Sequence, residues 1–152
     1  MTPVLYASAR RDRLSAIGAV TLSPRRGRIG VYFRLHDDNI HAVDVVGFLR
    51  DLHRQLRRPM IVVLDRFNVH RAAVRQLQEA GADWLQVEWL PAYAPDLNPV
   101  EALWSCTKRS ELANFAPDNL GDLADTVVDS FCRQRSDQRL KESYFHTARL
   151  DL

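Results

Sequence analysis

Cysteine, lysine and long apolar runs are the scarce features of this 152-residue sequence. Its two cysteines, Cys106 and Cys132, stand far apart with no CxxC spacing and no Cys/His cluster. That pattern suggests neither a disulfide framework nor a structural zinc site, and both thiols read as buried small apolar residues. No stretch approaches the roughly 18 consecutive apolar residues of a membrane span, and no charged-then-apolar leader opens the chain. The expectation is a cytoplasmic protein with no membrane partner. Of 21 basic residues only Lys108 and Lys141 are lysine. Arginine forks bidentately onto phosphate, but a GC-rich genome also favours arginine codons, so the bias leaves DNA contact and codon usage both open. A formal charge of +2 decides nothing further.

What is present is enough for one core. A hydrophobic content of 46% over this length suits a single domain spanning residues 1–152 and is too little for two. No repeats or low-complexity segments interrupt it. Leu14 to Leu22 is apolar enough for a buried strand, Ser23-Pro24-Arg25-Arg26-Gly27-Arg28 supplies turn chemistry, and Ile29 to Leu35 returns as a second strand, which together predict a hairpin. Ala42, Val45, Val46, Leu49, Leu52 and Leu56 recur at helical spacing between about Asn39 and Arg57. Met60 to Leu64 is a continuous apolar run ending in Asp65, the pattern of a strand covered on both faces.

A helix from about Val69 to Ala80 follows, with Gly81 as its stop. Trp84 to Leu90 then alternates, placing Leu85, Val87 and Trp89 on one side and Gln86 and Glu88 on the other. Pro91 to Leu97 is punctuated by prolines and reads as a loop. Asn98 is a preferred cap and Pro99 suits the first helical position, so a helix is predicted from Pro99 to about Asn114. Leu120, Leu123, Val127, Val128 and Phe131 mark another amphipathic helix, and the polar stretch beyond Arg133 reads as a frayed tail or a short last helix.

Two acids stand where chemistry is expected. Asp65 follows a buried strand, and the carboxyl ends of strands are where open α/β sheets place their ligands. The same position suits an aspartate that merely caps the turn into the next helix. Glu101 stands three residues after Asn98, the spacing of a capping box. Alternatively it joins Asp65 around divalent metal, since paired carboxylates repel unless a cation lies between them. Both readings of both residues stand at this point.

The strings Val62-Val63-Leu64-Asp65-Arg66-Phe67-Asn68-Val69-His70 and Leu90-Pro91-Ala92-Tyr93-Ala94-Pro95-Asp96-Leu97-Asn98-Pro99-Val100-Glu101-Ala102-Leu103-Trp104 together carry a family resemblance. They closely resemble the second and third signature blocks of DDE transposases of the mariner superfamily, in its bacterial insertion-sequence branch. In that family the second acid ends a strand and is followed by a histidine, and the third lies in a block of the form LPxYxPxLNPxExxW. Asp65 and Glu101 match those acids, with thirty-five residues, 66 to 100, between them.

The resemblance implies an α/β, ribonuclease-H-like fold, a mixed sheet flanked by helices. It implies that Asp65 and Glu101 are catalytic and hold Mg²⁺ or Mn²⁺, that DNA is the partner, and that the complete protein acts as a homodimer on the ends of a mobile element. Asn68, His70, Tyr93 and Asn98 are candidate supporting residues. Tyr93, Pro95 and Trp104 are expected to shape the loop and anchor it in the core. Arg10, Arg11 and Arg13, the cluster Arg25, Arg26 and Arg28, and Arg57 with Arg58 suit phosphate contacts or plain surface charge.

In the family a first acid lies on a strand upstream of a segment resembling Thr2-Pro3-Val4-Leu5, beyond an N-terminal helix-turn-helix. The chain begins at Met1, so the central first strand and its aspartate read as missing, and the isolated chain is expected to be inactive. Asp12 does not match that acid. The competing expectations are a non-catalytic remnant that binds DNA or associates with an intact transposase, and one product of a split element.

Overall fold

A computed structural model describes residues 13–150. Arg10, Arg11, Asp12 and the segment Thr2-Pro3-Val4-Leu5 lie outside the described residues. The chain runs β1 (Ser15–Leu22), β2 (Ile29–His36), α1 (Ala42–Leu56), β3 (Met60–Leu64), α2 (Asn68–Glu79), β4 (Leu85–Trp89), a 3₁₀ turn (Pro95–Leu97), α3 (Pro99–Ser110), α4 (Leu120–Ser136) and α5 (Gln138–Thr147).

The predicted hairpin is present. β1 and β2 pair antiparallel, with Ser15 opposite His36 and Leu22 opposite Ile29. Gly27 supplies the left-handed residue of the turn at φ 58°. β3 and β4 pair in parallel, Met60 beside Leu85 and Leu64 beside Trp89. The four strands form two separate pairs and not one sheet: among the described residues no strand joins β1 to β3.

Helices unite the pairs. α1 and α2 bury Val45, Val46, Leu49, Ala73 and Leu77 in one cluster that also receives Ile17 of β1, Val62 of β3 and Leu85 of β4. On the other side of the hairpin, Leu103 of α3, Val127 and Phe131 of α4 and Tyr144 of α5 close over Val31, with Val20, Phe33 and Leu35 packed against them. Each large apolar side chain so buried contributes about 1.5–3 kcal/mol. α1 is also tied to the hairpin through its polar face, where Arg34 of β2 donates to Asp51. That hydrogen bond holds the Asp51 carboxyl below the usual carboxylate range, assisted by the charge of Arg54.

Two outward carbonyls of β2 accept from side chains. Arg135 Nε donates to the Val31 carbonyl at 2.9 Å and Lys141 Nζ to the Ile29 carbonyl at 3.0 Å. Since those carbonyls face away from β1, the alternation of an antiparallel pair turns Ala16, Gly18 and Val20 outward on the other edge of β1, along which no described strand pairs.

Three expectations are corrected. β3 is covered on one face only: Met60 is buried, but Ile61 and Val63 are 66% and 56% exposed because the cover of α3, α4 and α5 stops at the hairpin. Cys132 is exposed and Cys106 half-buried. α3 ends at Ser110, short of Asn114. Of the two readings of the polar stretch beyond Arg133, the short last helix is the one present: α4 runs on to Ser136, and α5 follows and buries Lys141, Tyr144 and Phe145.

Candidate active site

Asp65 is presented by the parallel pair. Met60 N–H donates to Trp84 and Leu90 N–H to Leu64, so β3 and β4 end together and release their loops at one edge. Arg66 latches those loops, its Nε donating to the Leu90 carbonyl at 3.2 Å. Asp65 Oδ1 accepts the Phe67 backbone N–H at 3.1 Å, so the turn-capping role is real. The same Oδ1 lies 2.6 Å from His70 Nδ1. Oδ2 makes no hydrogen bond among the described residues, and the side chain is half exposed.

Glu101 stands in the first turn of α3, reached from β4 through the proline loop and the 3₁₀ turn. Asn98 caps that helix, its Oδ1 accepting from Val100 N–H at 3.2 Å. The capping box does not close. Glu101 gives no side-chain bond back to Asn98 among the described residues, and its exposed carboxylate is left without a protein partner.

The remaining candidates separate. His70 sits on Asp65, and Asn68 is the exposed first residue of α2. Tyr93 does not anchor the loop in the core: its side chain is fully exposed, on a backbone at φ 58°. Pro95 is exposed too, whereas Trp104 packs edge-on against Phe131 at 5.3 Å. Arg25, Arg26 and Arg28 lie exposed in the hairpin turn and bond neither acid among the described residues. Arg13 is spent on Asn39 at 2.5 Å, and Arg57 adopts a left-handed conformation at the end of α1. Sequence reasoning missed the Arg66 latch, which has no signal in spacing. The contact between Asp65 and His70 had one, a histidine five residues after a strand-end acid.

Each acid by itself offers hard oxygen donors of the kind Mg²⁺ and Mn²⁺ take, Oδ2 of Asp65 and the exposed carboxylate of Glu101, and no contact joins the two side chains among the described residues. Among the described residues no group of three or more His, Cys, Asp or Glu side chains comes together. Asp65 lies on open surface. Clefts form elsewhere, one lined by Arg34, Phe48, Asp51 and Arg135, another by Pro59, Met60 and Trp84 at the opposite ends of β3 and β4.

The profile of the DDE superfamily endonucleases matches residues 1–123. Among solved structures, that of the Mos1 strand transfer complex is similar at a TM-score of 0.56 and 19% identity, covering 90% of this chain and 49% of that one. The chain thus spans about half the length of the structure it matches and shares its mixed α/β, ribonuclease-H-like fold. No curated protein matches the chain. No helix among the described residues is long and apolar enough to cross a membrane.

Proposed function

The chain belongs to the DDE superfamily of endonucleases, and from that membership we propose that it is catalytic-domain sequence of a DNA transposase, with Asp65 and Glu101 as two of three metal-holding acids. The observation that carries the reading is Asp65 itself, set at the carboxyl end of a parallel strand with one oxygen tied down and the other free. Asp65 through Oδ2 and Glu101 through its unpaired carboxylate would hold Mg²⁺ or Mn²⁺, with further donors coming from outside the described residues and from substrate phosphate. When bound, such ions supply activation of a water or 3′-hydroxyl and stabilisation of the leaving oxygen of a phosphodiester.

The protein's own contribution is placement. The pairing of β3 with β4 and the Arg66 latch fix the edge from which Asp65 projects, and the Asn98 cap fixes the first turn of α3, from which Glu101 projects. The substrate is DNA, at the ends of a mobile element and at its target, and the working assembly is a homodimer in the cytoplasm. Asp65→Asn and Glu101→Gln each remove a ligand charge at nearly constant shape. In a transposase carrying this domain together with a first acid, either change abolishes metal-dependent strand cleavage and leaves DNA binding largely intact. Near-normal cleavage by either variant removes that residue from the site.

A second reading is that this chain on its own is a non-catalytic remnant that binds DNA or joins an intact transposase. Incubating the purified chain with supercoiled DNA and Mg²⁺ or Mn²⁺ separates the two: nicking supports the enzyme, binding without nicking the remnant.

A further inference from the structure

Two donors converge on a single oxygen of Asp65. Phe67 N–H reaches Oδ1 at 3.1 Å and His70 Nδ1 reaches it at 2.6 Å. The histidine is itself held. It is the third residue of α2, whose Ala73, Val74 and Leu77 are buried, and it meets the Phe67 ring edge-on with centroids 6.2 Å apart. A free carboxylate exchanges its two oxygens by rotating about its last side-chain bond. With two donors on Oδ1 that rotation costs two hydrogen bonds, one of them short and charge-assisted.

We propose that His70 is a positioning residue for Asp65: its Nδ1–H fixes the carboxylate so that Oδ2 alone faces the cation. The inference rests on Asp65 being a metal ligand, as proposed above, and adds what makes that ligand competent. The Phe67 N–H would by itself hold an ordinary turn. The second donor stiffens a ligand before the ion arrives, and loss of such outer partners typically weakens metal affinity about 10–100-fold. With Nδ1–H donating to the acid, Nε2 is the ring nitrogen turned away from it.

The test uses the full chain and Mn²⁺ alone, with free Mn²⁺ followed by electron paramagnetic resonance. His70→Ala weakens binding about 10–100-fold with an unchanged thermal midpoint, and His70→Asn, whose amide nitrogen can stand in for Nδ1, restores most of the affinity. His70→Leu keeps bulk without a donor and behaves like the alanine variant. In the wild type the imidazole ¹⁵N shifts report a proton on Nδ1, a signature that Asp65→Asn alters. If His70→Ala and His70→Leu bind Mn²⁺ like the wild type while Asp65→Asn does not, the positioning role is overturned and the ligand stands. If wild type and Asp65→Asn bind alike, Asp65 is no ligand and both readings fall. Equal loss in the alanine and asparagine variants with a lowered midpoint makes His70 a packing residue and overturns the inference.

Discussion

A Cβ built on Gly18 would lie 2.8 Å from Cζ2 of Trp104, inside any real contact distance. The Trp104 ring is wedged between β1 and Phe131, so it has little room to retreat. Gly18→Ala is therefore expected to cost about 1–3 kcal/mol by overpacking. Combining it with Trp104→Phe, which removes the offending atoms, should cost less than the sum of the two changes, as urea denaturation of the four proteins will show. Tyr93 presents the opposite case, a side chain in full solvent on a left-handed backbone. Tyr93→Gly loses no packing and relieves a conformation that disfavours residues with a Cβ, so stability rises by about 0.5–1 kcal/mol, read as a higher urea midpoint. The sequence marked both aromatics as anchors. It was right for Trp104, whose helix turns it inward, and wrong for Tyr93, because the sign of φ at a loop residue decides where the side chain points and leaves no periodic trace. Asp65 and Glu101 were singled out by motif spacing. That one oxygen of Asp65 is already taken was not legible, since it depends on a contact across a turn.

At the level of elements, α4 and α5 show why periodicity fails at the C-terminal end. Their inward positions include Gln134, Lys141 and Tyr144, polar residues that are buried because they are paired. Gln134 donates to Thr107 at 2.7 Å and to Ser130 at 3.1 Å, and Tyr144 donates to the Gln134 carbonyl. A stripe counted in apolar residues breaks off there although the buried face continues. The network has a pH consequence. Burial raises the Tyr144 phenol well above its ordinary value of 10.0, and Cys106 beside it pushes the same way. With the folded value above the unfolded one, the contribution of the neutral phenol is complete below pH 10 and is lost as pH climbs beyond it. Stability should fall above pH 10 by about 1.4 kcal/mol per pH unit from this group. Tyr144→Phe should flatten that alkaline limb in thermal melts; an unchanged limb would assign it to other groups. The strands err in the other direction. Met60 to Leu64 looks two-sided because all five residues are apolar, but composition cannot say whether a neighbour covers the second face.

At the scale of the whole molecule, the exposed face of β3 and the edge of β3 turned away from β4 coincide, and no described strand pairs along that edge. Ile61 and Val63 expose their side chains, and their backbone groups turn away from β4, because Met60 and Leu64 make the bonds to that strand. Unpaired apolar strands invite association. The chain is expected to self-associate with rising concentration, and Ile61→Lys with Val63→Lys should shift it toward monomer in light scattering without changing its circular dichroism. An unaltered size distribution would move the sticky surface elsewhere.

Edge contacts through the hairpin face a further limit, set by Arg135 and Lys141 on the far side of β2. Fibrous growth of a sheet needs two reactive margins on every unit, one to receive a neighbour and one to pass the pattern on. With the outward carbonyls of Val31 and Ile29 already engaged, the β2 margin has fewer acceptors to offer a neighbour than the β1 margin. Copies that meet along β1 then hand on a depleted margin, so growth of a ribbon through this hairpin is slowed by two cations.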